Sequence, residues 1–217
     1  MKNVDSSLTS SKILQPLSGE TTVLEYAVRT VLRAGICQKL LLVIRREDEA
    51  LIRAKPGIAA ECSIVYGGAT RQESVFNALQ AINGKTDFVM VHDGARPLCR
   101  AAIMQRVVAK AQVSGAALAG LAVSDTLKET VSGETILKTV SRQRYWTVQT
   151  PQVFRFDWLW EAHLAAQKDG YIGTDESELV ERAGHRVSLV QGDKWNLKIT
   201  TPEDLQMARL IAASISS

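Results

Sequence analysis

One candidate for chemistry is an acidic residue that directly follows an apolar run. Asp93 comes after the run 88–92, FVMVH, and before Gly94, Ala95 and Arg96. If the run is a strand of an open α/β sheet, Asp93 lies beyond its carboxyl end, where such sheets bind ligands. An aspartate in that place can hold Mg²⁺ through oxygen while the metal bridges phosphates. A strand-end turn with a structural Arg–Asp pair explains the pattern equally well, so the motif alone leaves both interpretations open.

A second candidate is a glycine-rich turn nearer the N-terminus. Gly67 and Gly68 follow the short apolar run 63–66 and precede a helical stretch that contains Arg71 and Ser74. Backbone N–H groups in such a loop can surround a base or a phosphate, and the Ser74 hydroxyl can add a hydrogen bond. An ordinary strand–turn–helix connection has the same pattern, so this motif is weak when taken alone.

Two lysines are possible phosphate ligands. Lys198 lies in the segment 196–200, NLKIT, which we predict to be an apolar strand. A lysine inside a strand is unusual unless its head group reaches water, a carboxylate or a ligand, and this favours a functional role for Lys198. Lys12, in the segment SKILQPL, has on its own the pattern of an ordinary solvated lysine.

Further polar groups are spread along the C-terminal half of the chain. Each of them fits a cap or a surface residue when taken singly: Thr126, Arg142, Thr150 and Thr174. Thr174 begins the sequence Thr-Asp-Glu, which is typical of a helix N-cap followed by acidic residues in the first turn. Only a wider pattern could make these residues candidates for substrate binding.

The elements that would position these residues alternate along the chain. Apolar runs of strand length, separated by amphipathic helical stretches, predict a parallel sheet that is covered on both faces. The predicted strands are 40–44, 63–66, 88–92 and 116–123, and the predicted helices are 23–32, 74–82 and 103–113. Gly35 can cap the first helix, and Thr201-Pro202 can open a last one. The alternation predicts an open, doubly wound α/β sheet.

The segment 125–144 breaks this alternation. Its polar and apolar residues alternate around Ser132-Gly133, which predicts a β-hairpin. Both faces of the hairpin are too polar for a central strand, so we expect an arm that projects from the domain and packs on something else, such as a second subunit. The rest of the chain indicates no boundary, and we treat residues 1–217 as a single domain.

The composition is that of an ordinary globular protein. The 217 residues are 46% hydrophobic and 23% charged, so a sizeable core can form. The net charge of +3 is too small to indicate nucleic-acid binding, and no run approaches the ~20 apolar residues that span a membrane. The N-terminus has no signal-peptide pattern, and the three scattered cysteines form no C-x-x-C pair. We therefore expect a cytoplasmic protein with reduced thiols.

In this order, the motifs resemble the 2-C-methyl-D-erythritol 4-phosphate cytidylyltransferase family of isoprenoid synthesis. The matching pieces are SKILQPLSG, TVLEYAV, GGATRQESV, VHDGARP, SDTLK, TVSR, TPQVF, GTDES and NLKITTPEDL. VHDGARP and GGATRQESV are specific to this family and its ribitol-phosphate relatives. The resemblance implies a Rossmann-like, mostly parallel sheet and transfer of CMP from CTP with release of pyrophosphate. It also implies dependence on Mg²⁺ and a homodimer whose arm completes the neighbour's site.

The resemblance assigns roles residue by residue. Asp93 would bind the metal and the CTP phosphates, and Lys12 and Lys198 would neutralise the phosphates during attack. The nucleotide side would be formed by Gly67, Gly68, Arg71, Ser74, Ala95 and Arg96, with Arg71 holding the glycine loop. The acceptor phosphate would be held by Arg142 from the partner's arm, together with Thr126, Thr150 and Thr174.

The chain departs from the family pattern before Lys12. The family usually begins with a strand and a glycine-rich loop of the form A-A-G-x-G-x-R-M, followed by P-K-Q, whereas this chain has Ser11-Lys12-Ile13. We hypothesise that the reading frame starts upstream of Met1. The loop would supply backbone N–H donors and an arginine to the triphosphate, and its strand would lie within the sheet. We therefore expect unpaired neighbouring strand edges, disorder near residues 1–11 and little activity without that segment.

Two alternatives to the assigned activity stay open at this point. A ribitol-5-phosphate cytidylyltransferase would have the same fold and the same nucleotide motifs. A chain without the glycine-rich loop could also be a nucleotide-binding or dimerising protein that no longer catalyses transfer.

Overall fold

The fold is described from a computed structural model that covers residues 12–82 and 86–216. The strands are β1 (Pro16–Ser18), β2 (Thr21–Thr22), β3 (Leu41–Ile44), β4 (Ser63–Tyr66), β5 (Phe88–Val91), β6 (Ala116–Ala122), β7 (Leu127–Val131), β8 (Thr135–Val140), β9 (Trp146–Arg155) and β10 (Ser188–Gln191). The α-helices are α1 (Val23–Ala34), α2 (Glu49–Arg53), α3 (Pro56–Ala59), α4 (Arg71–Gln80), α5 (Ala101–Ser114), α6 (Phe156–Asp169), α7 (Glu176–Arg182) and α8 (Pro202–Ser216).

The core sheet is mixed rather than wholly parallel. Its strand order is β10-β6-β9-β5. β10 is parallel to β6, whereas β9 is antiparallel to both β6 and β5. The predicted α/β class is confirmed, but the sequence reasoning missed β9, and the expected parallel pairing is wrong there. Pro151 and the polar residues Gln149 and Gln152 interrupt the apolar pattern of β9. Because of these interruptions, the periodicity of the sequence did not predict this strand.

Two strands of the fold each keep an edge without a described partner. β3 pairs with β4 in parallel, β5 pairs with β9, and no pairing joins β3 to β5 within residues 12–82 and 86–216. All four residues of β5 are half-buried, although the strand is wholly apolar. The expectation of unpaired strand edges stays a prediction, because the described ranges leave out residues 1–11. The expectation about residues 1–11 lies outside the described residues.

Helices cover the sheet on both faces. On one face, α1 and α5 pack on it through a cluster that includes Val31, Val107 and Val153. On the other face, a second cluster includes Phe154 of β9 and Leu159 of α6. Val153 and Phe154 are consecutive residues, and they point to opposite faces because side chains alternate along a strand. The predicted doubly wound layering is confirmed.

The helix boundaries follow the capping signals. α1 starts after Thr22, whose hydroxyl accepts a hydrogen bond from the Glu25 N–H, and it ends at Gly35 with a φ of 64°. Thr201 accepts a hydrogen bond from the Asp204 N–H at the start of α8, as its position before proline predicts. The helices predicted at 74–82 and 103–113 are α4 and α5, and both begin earlier than the pattern indicated.

The segment between β6 and β9 forms the predicted arm. β7 and β8 pair antiparallel around a turn in which Ser132 and Gly133 have φ values of 55° and 81°. Val131, Ile136 and Leu137 are exposed on this hairpin. The hairpin prediction is confirmed, and the exposed apolar side chains give the arm a surface that could pack on another molecule.

The structure bears on two expectations from the composition, which concern membrane-spanning helices and the cysteines. Over residues 12–82 and 86–216, no helix combines the length and the apolar character that crossing a bilayer requires. Cys37, Cys62 and Cys99 are free thiols.

A buried histidine predicts how stability changes with pH. His163 is 0% exposed, and neither ring nitrogen has a hydrogen-bond partner among the described residues. Burial lowers the pKa of His163 from 6.5 in the unfolded chain to about 4 in the folded chain. The contribution of the neutral ring to stability is therefore fully present above pH 6.5 and is lost as the pH falls from 6.5 towards 4. The change amounts to about 2 kcal/mol between pH 7 and about pH 5.

We expect His163→Leu to remove this part of the pH dependence. The difference in Tm between variant and native chain, measured by thermal unfolding, should grow in favour of the variant as the pH is lowered from 7 to about 5. His185→Leu, at a half-exposed histidine that stacks on Trp158, is the control. A difference in Tm that stays constant over this pH range would contradict the prediction.

Candidate active site

The candidate site is built around the carboxylate of Asp93. The turn after β5 is closed by a hydrogen bond from the Arg96 N–H to the Asp93 carbonyl, 2.9 Å long. Lys198 Nζ lies 3.1 Å from Asp93 Oδ2, and Arg96 Nε lies 3.5 Å from the same oxygen. Arg71 Nη2 lies 3.6 Å from Asp93 Oδ1. One carboxylate at the end of a strand thus meets cations from three separate parts of the chain.

These cations determine the charge of Asp93. Burial on its own would raise the pKa of the carboxyl group, but the charges of Lys198, Arg71 and Arg96 more than offset it, so the pKa lies below its ordinary value. Asp93 is therefore ionised throughout the neutral range. The cluster can offer a carboxylate to a metal ion and cations to phosphates.

Lys198 reaches the site from an extended connection and not from a strand. We predicted a strand at 196–200, and this is wrong, because the chain between β10 and α8 forms no strand. A backbone hydrogen bond from the Ile199 N–H to the Ala95 carbonyl, 2.9 Å long, holds the connection beside the Asp93 turn. Lys12 Nζ donates to the carbonyl of Thr200 at 3.2 Å, so both predicted phosphate-binding lysines meet at this connection.

The glycine loop is held together by its own side chains. The Gly68 N–H donates to Ser74 Oγ at 3.1 Å, and the Ser74 hydroxyl donates to the Thr70 carbonyl at 2.8 Å. A Cβ atom at Gly67 would lie 2.8 Å from Ser74 Oγ, and one at Gly68 would lie 2.4 Å from Glu73 Cβ. A side chain at Gly68 would collide with Glu73, and one at Gly67 would displace the Ser74 hydroxyl from its hydrogen bonds, so Ser74 shapes the loop from within.

Arg71 points away from the loop that it was expected to hold. Its Nη1 lies 2.6 Å from Oε2 of Glu176, whose side chain is 1% exposed. Burial lowers the pKa of Arg71, but Glu176 and Asp93 more than compensate, so the pKa lies above its ordinary value. The guanidinium therefore connects α4, α7 and the end of β5.

Thr150 supports Asp93 from behind. Its hydroxyl oxygen accepts from the Asp93 N–H at 3.0 Å and lies 3.1 Å from His92 Nδ1. His92 Nε2 lies 3.2 Å from the Arg96 carbonyl, which can only accept. Nε2 therefore carries the proton, and Nδ1 accepts from the Thr150 hydroxyl. Burial lowers the pKa of His92 to about 4, which agrees with a neutral ring.

The remaining predicted residues lie apart from this cluster. Thr174 donates from its backbone N–H and from its hydroxyl to Glu178 Oε2, at 2.7 Å and 2.8 Å. Arg142 donates to the carbonyl of Ser124 at the base of its own arm, and Thr126 is exposed on the same part of the chain. None of these contacts within the described ranges joins Thr126 or Arg142 to Asp93.

Comparison with known proteins decides the family. A family model described as 2-C-methyl-D-erythritol 4-phosphate cytidylyltransferase matches residues 7–214. The chain belongs to this cytidylyltransferase family. A curated relative with this name from Bacillus cytotoxicus is 39% identical over 196 residues, which cover 88% of this chain and 85% of the relative.

Solved structures of the cytidylyltransferase family share the fold. A structure titled 2-C-methyl-D-erythritol 4-phosphate cytidylyltransferase from Thermus thermophilus is 36% identical with a TM-score of 0.78, covering 93% of each chain. A 4-diphosphocytidyl-2C-methyl-D-erythritol synthase from Anaerococcus prevotii is 27% identical with a TM-score of 0.84, covering 92% of this chain and 88% of the other. The predicted family and fold are confirmed.

The carboxylate of Asp93 is the group of this site that is suited to Mg²⁺. Among the described residues, no group of three or more His, Cys, Asp or Glu side chains could hold a metal. Mg²⁺ is usually bound by one or two carboxylates together with substrate phosphates and water. Asp93, ionised and 14% exposed, provides such a carboxylate.

Sequence reasoning missed several buried residues of the site. Glu176 was read as an acidic first-turn residue, and nothing in its spacing distinguishes a buried acid from an exposed one. Asn196 Nδ2 donates to Gln149 Oε1 and also to the Thr150 carbonyl, the latter at 2.8 Å. These amides fix the connection that carries Lys198, and the polar interruptions of β9 were their only signal in the sequence.

Proposed function

We propose that this chain transfers CMP from CTP to 2-C-methyl-D-erythritol 4-phosphate and releases pyrophosphate, as a step of isoprenoid biosynthesis. The observation that carries the proposal is the ionised Asp93 surrounded by Lys198, Arg71 and Arg96 beyond the end of β5. A polyphosphate with its metal ion needs both signs of charge in one place. The family membership supplies the identity of the two substrates.

The reaction is an in-line displacement at phosphorus. A phosphate oxygen of the acceptor forms a bond to the α-phosphorus of CTP, the bond from that phosphorus to the bridging oxygen of the β-phosphate breaks, and pyrophosphate leaves with the electron pair. The attacking oxygen is already ionised near neutral pH, so a general base is not required. Catalysis then consists of positioning and of stabilising negative charge.

The residues of the cluster have separate parts in this reaction. Lys198 and Lys12 would neutralise the triphosphate as charge moves to the leaving group. Asp93 would hold Mg²⁺, which would supply further positive charge to the phosphates. His92 keeps the Asp93 turn in place, because both of its ring nitrogens are engaged and its pKa of about 4 leaves it neutral.

The loop of Gly67 and Gly68 would receive the nucleoside. The Gly68 and Ala69 N–H groups donate to Ser74 Oγ and Glu73 Oε2, which fixes the shape of the backbone that a base or ribose would approach. Ala95 and Arg96 would contribute to the nucleotide pocket from the turn after β5, where Arg96 donates from Nη1 to the Asn196 carbonyl at 2.7 Å.

The choice of acceptor is tested by comparing two substrates. The names of the family model and of the relatives favour methylerythritol phosphate over ribitol 5-phosphate. With CTP and Mg²⁺, we expect pyrophosphate release with 2-C-methyl-D-erythritol 4-phosphate and at least about ten-fold less with ribitol 5-phosphate, because a site built to hydrogen-bond one acceptor discriminates against another. Equal rates, or a preference for ribitol 5-phosphate, would reject the proposed acceptor.

The arm supports a proposal about assembly. Besides the exposed apolar residues of the arm, Tyr145 just before β9 and Trp146 and Val148 at its start are also exposed. Such a surface is suited to a second copy of the chain. We therefore propose a homodimer in which Arg142 of one subunit binds the acceptor phosphate of the other, together with Thr126 and Thr174. The Thr150 hydroxyl, which is buried and donates to His92, holds the Asp93 turn instead.

Mixing two inactive variants tests this arrangement. Asp93→Ala and Arg142→Ala each damage one half of a shared site. If the halves come from different subunits, a mixed dimer regains one intact site, and random exchange should restore about a quarter of native activity. Co-purification of one variant with an affinity-tagged copy of the other verifies that exchange has occurred. Activity that stays at the level of the separate variants, although exchange has occurred, would show that Arg142 does not act across subunits.

Location and other partners stay predictions. The sequence patterns favour a cytoplasmic protein that binds neither nucleic acid nor membranes, and we retain this as part of the proposal.

A further inference from the structure

Glu176 is a buried carboxylate beside the Asp93 cluster. Its side chain, at the first position of α7, is 1% exposed. A buried charge is costly unless it is paired, and the partner here is Arg71, with Nη1 lying 2.6 Å from Glu176 Oε2.

The same guanidinium is shared with the site. Arg71 Nη2 lies 3.6 Å from Asp93 Oδ1, which is a full ångström longer than the contact with Glu176. Arg71 is therefore held mainly by Glu176 and only loosely by Asp93.

Neighbouring contacts fix the helix start that carries this carboxylate. Asp175, the N-cap of α7, accepts from Gln152 Nε2 at 2.8 Å. Gln72, on the first turn of α4, donates to the Tyr171 carbonyl at 3.1 Å and accepts from the Gly173 N–H at 3.0 Å. The geometry between α4 and α7 is thus set by groups other than the ion pair itself.

The balance of charge gives this pair a consequence at the site. Lys198, Arg71 and Arg96 face the carboxylates of Asp93 and Glu176. Without the negative charge of Glu176, three cations would face one carboxylate, and Arg71 would be free to pair with Asp93 alone. Both changes would disfavour a divalent cation at Asp93.

We propose that Glu176 is a positioning residue that keeps Arg71 partly away from Asp93, so that the Asp93 carboxylate stays available to the divalent cation that accompanies CTP. This inference rests on the proposed function and assigns Glu176 and Arg71 a joint part in it. It differs from a purely structural ion pair, which would contribute to folding and leave metal affinity unchanged.

Glu176→Gln tests the proposal, because it keeps the shape of the side chain and removes the charge. We expect the Mg²⁺ concentration for half-maximal pyrophosphate release to rise about 10- to 100-fold, the usual range for groups that orient a metal ligand. The affinity for Mn²⁺ in the presence of CTP, measured by electron paramagnetic resonance, should fall by a similar factor. Glu181→Gln, the same change at an exposed position of α7, should alter neither value.

Two further variants separate positioning from structure. Replacing Arg71 as well, in Arg71→Gln/Glu176→Gln, should recover much of the lost Mn²⁺ affinity, because the competing guanidinium is gone. Glu176→Asp keeps the charge and should shift Mn²⁺ affinity by only a few-fold. If Glu176→Gln does not fold, Glu176→Met is the second variant that removes the charge. The proposal would be overturned if a folded variant without the charge of Glu176 kept native affinity for Mn²⁺. It would also be overturned if the double variant bound Mn²⁺ no more tightly than Glu176→Gln. A native chain that binds Mn²⁺ and CTP but releases no pyrophosphate would count against the proposed function instead.

Discussion

Asp93→Asn is expected to lower kcat/KM for pyrophosphate release by about a hundred- to a thousand-fold, the range seen when a group that stabilises transition-state charge is removed. The amide cannot replace the carboxylate as a ligand for Mg²⁺. It also leaves Lys198, Arg71 and Arg96 without the negative charge that they share. The loss should persist at saturating Mg²⁺ and CTP, as measured by continuous detection of pyrophosphate.

Asp87→Asn is the matched control for this variant. Asp87 precedes the opposite end of β5 and is exposed, so the same chemical change there should leave kcat/KM within about two-fold of native. Circular dichroism of both variants would establish that they are folded. A folded Asp93→Asn protein with near-native turnover would exclude Asp93 from the reaction.

Lys198→Met is expected to lower kcat by about a hundred-fold while changing the KM for CTP much less. Lys198 is close enough to Asp93 to pair with it, at 3.1 Å, and its side chain is 42% exposed. It can therefore turn towards a bound triphosphate as charge develops on the leaving pyrophosphate. Methionine keeps the length and apolar contacts of the side chain but removes the charge.

The control for Lys198 is another lysine on the same connection. Lys194→Met lies four residues earlier at an exposed position and should leave kcat unchanged. Steady-state kinetics with varied CTP separate kcat from KM in both variants. A Lys198→Met protein that loses affinity for CTP but keeps its kcat would show that the lysine binds the nucleotide without acting in the transfer.

Much of the fold could be predicted from the sequence because its apolar runs are short and distinct. β3, β4, β5 and β6 were found by this signal, and so was the hairpin around Ser132-Gly133, where a turn of positive φ needs small or polar residues. β9 escaped because its inward polar residues form hydrogen bonds that exist only in the folded chain. The extended connection at 196–200 was mistaken for a strand because its apolar residues are buried by tertiary contacts and not by pairing.

The site was predictable where one strand end carries the chemistry. Asp93 and Arg96 follow β5 directly, so topology alone brought them to the ligand-binding edge of the sheet. Lys198 and Lys12 reach the site through the hydrogen bonds of Ile199 with Ala95 and of Lys12 with Thr200. The family resemblance implied a role for both lysines, but no local sequence pattern could show that they meet. The burial of Glu176 and the protonation of His92 depend on partners distant in sequence, and no local pattern encodes them.

Following the α-phosphorus of CTP is the sharpest test of the proposed transfer. With CTP labelled at the α-phosphate, Mg²⁺ and 2-C-methyl-D-erythritol 4-phosphate, the account predicts that the label passes to a cytidine-containing product of the acceptor while unlabelled pyrophosphate is released. The same transfer should be lost in Asp93→Ala. Label that remains in CTP, is released as free CMP without joining the acceptor, or is transferred equally well by Asp93→Ala would contradict it.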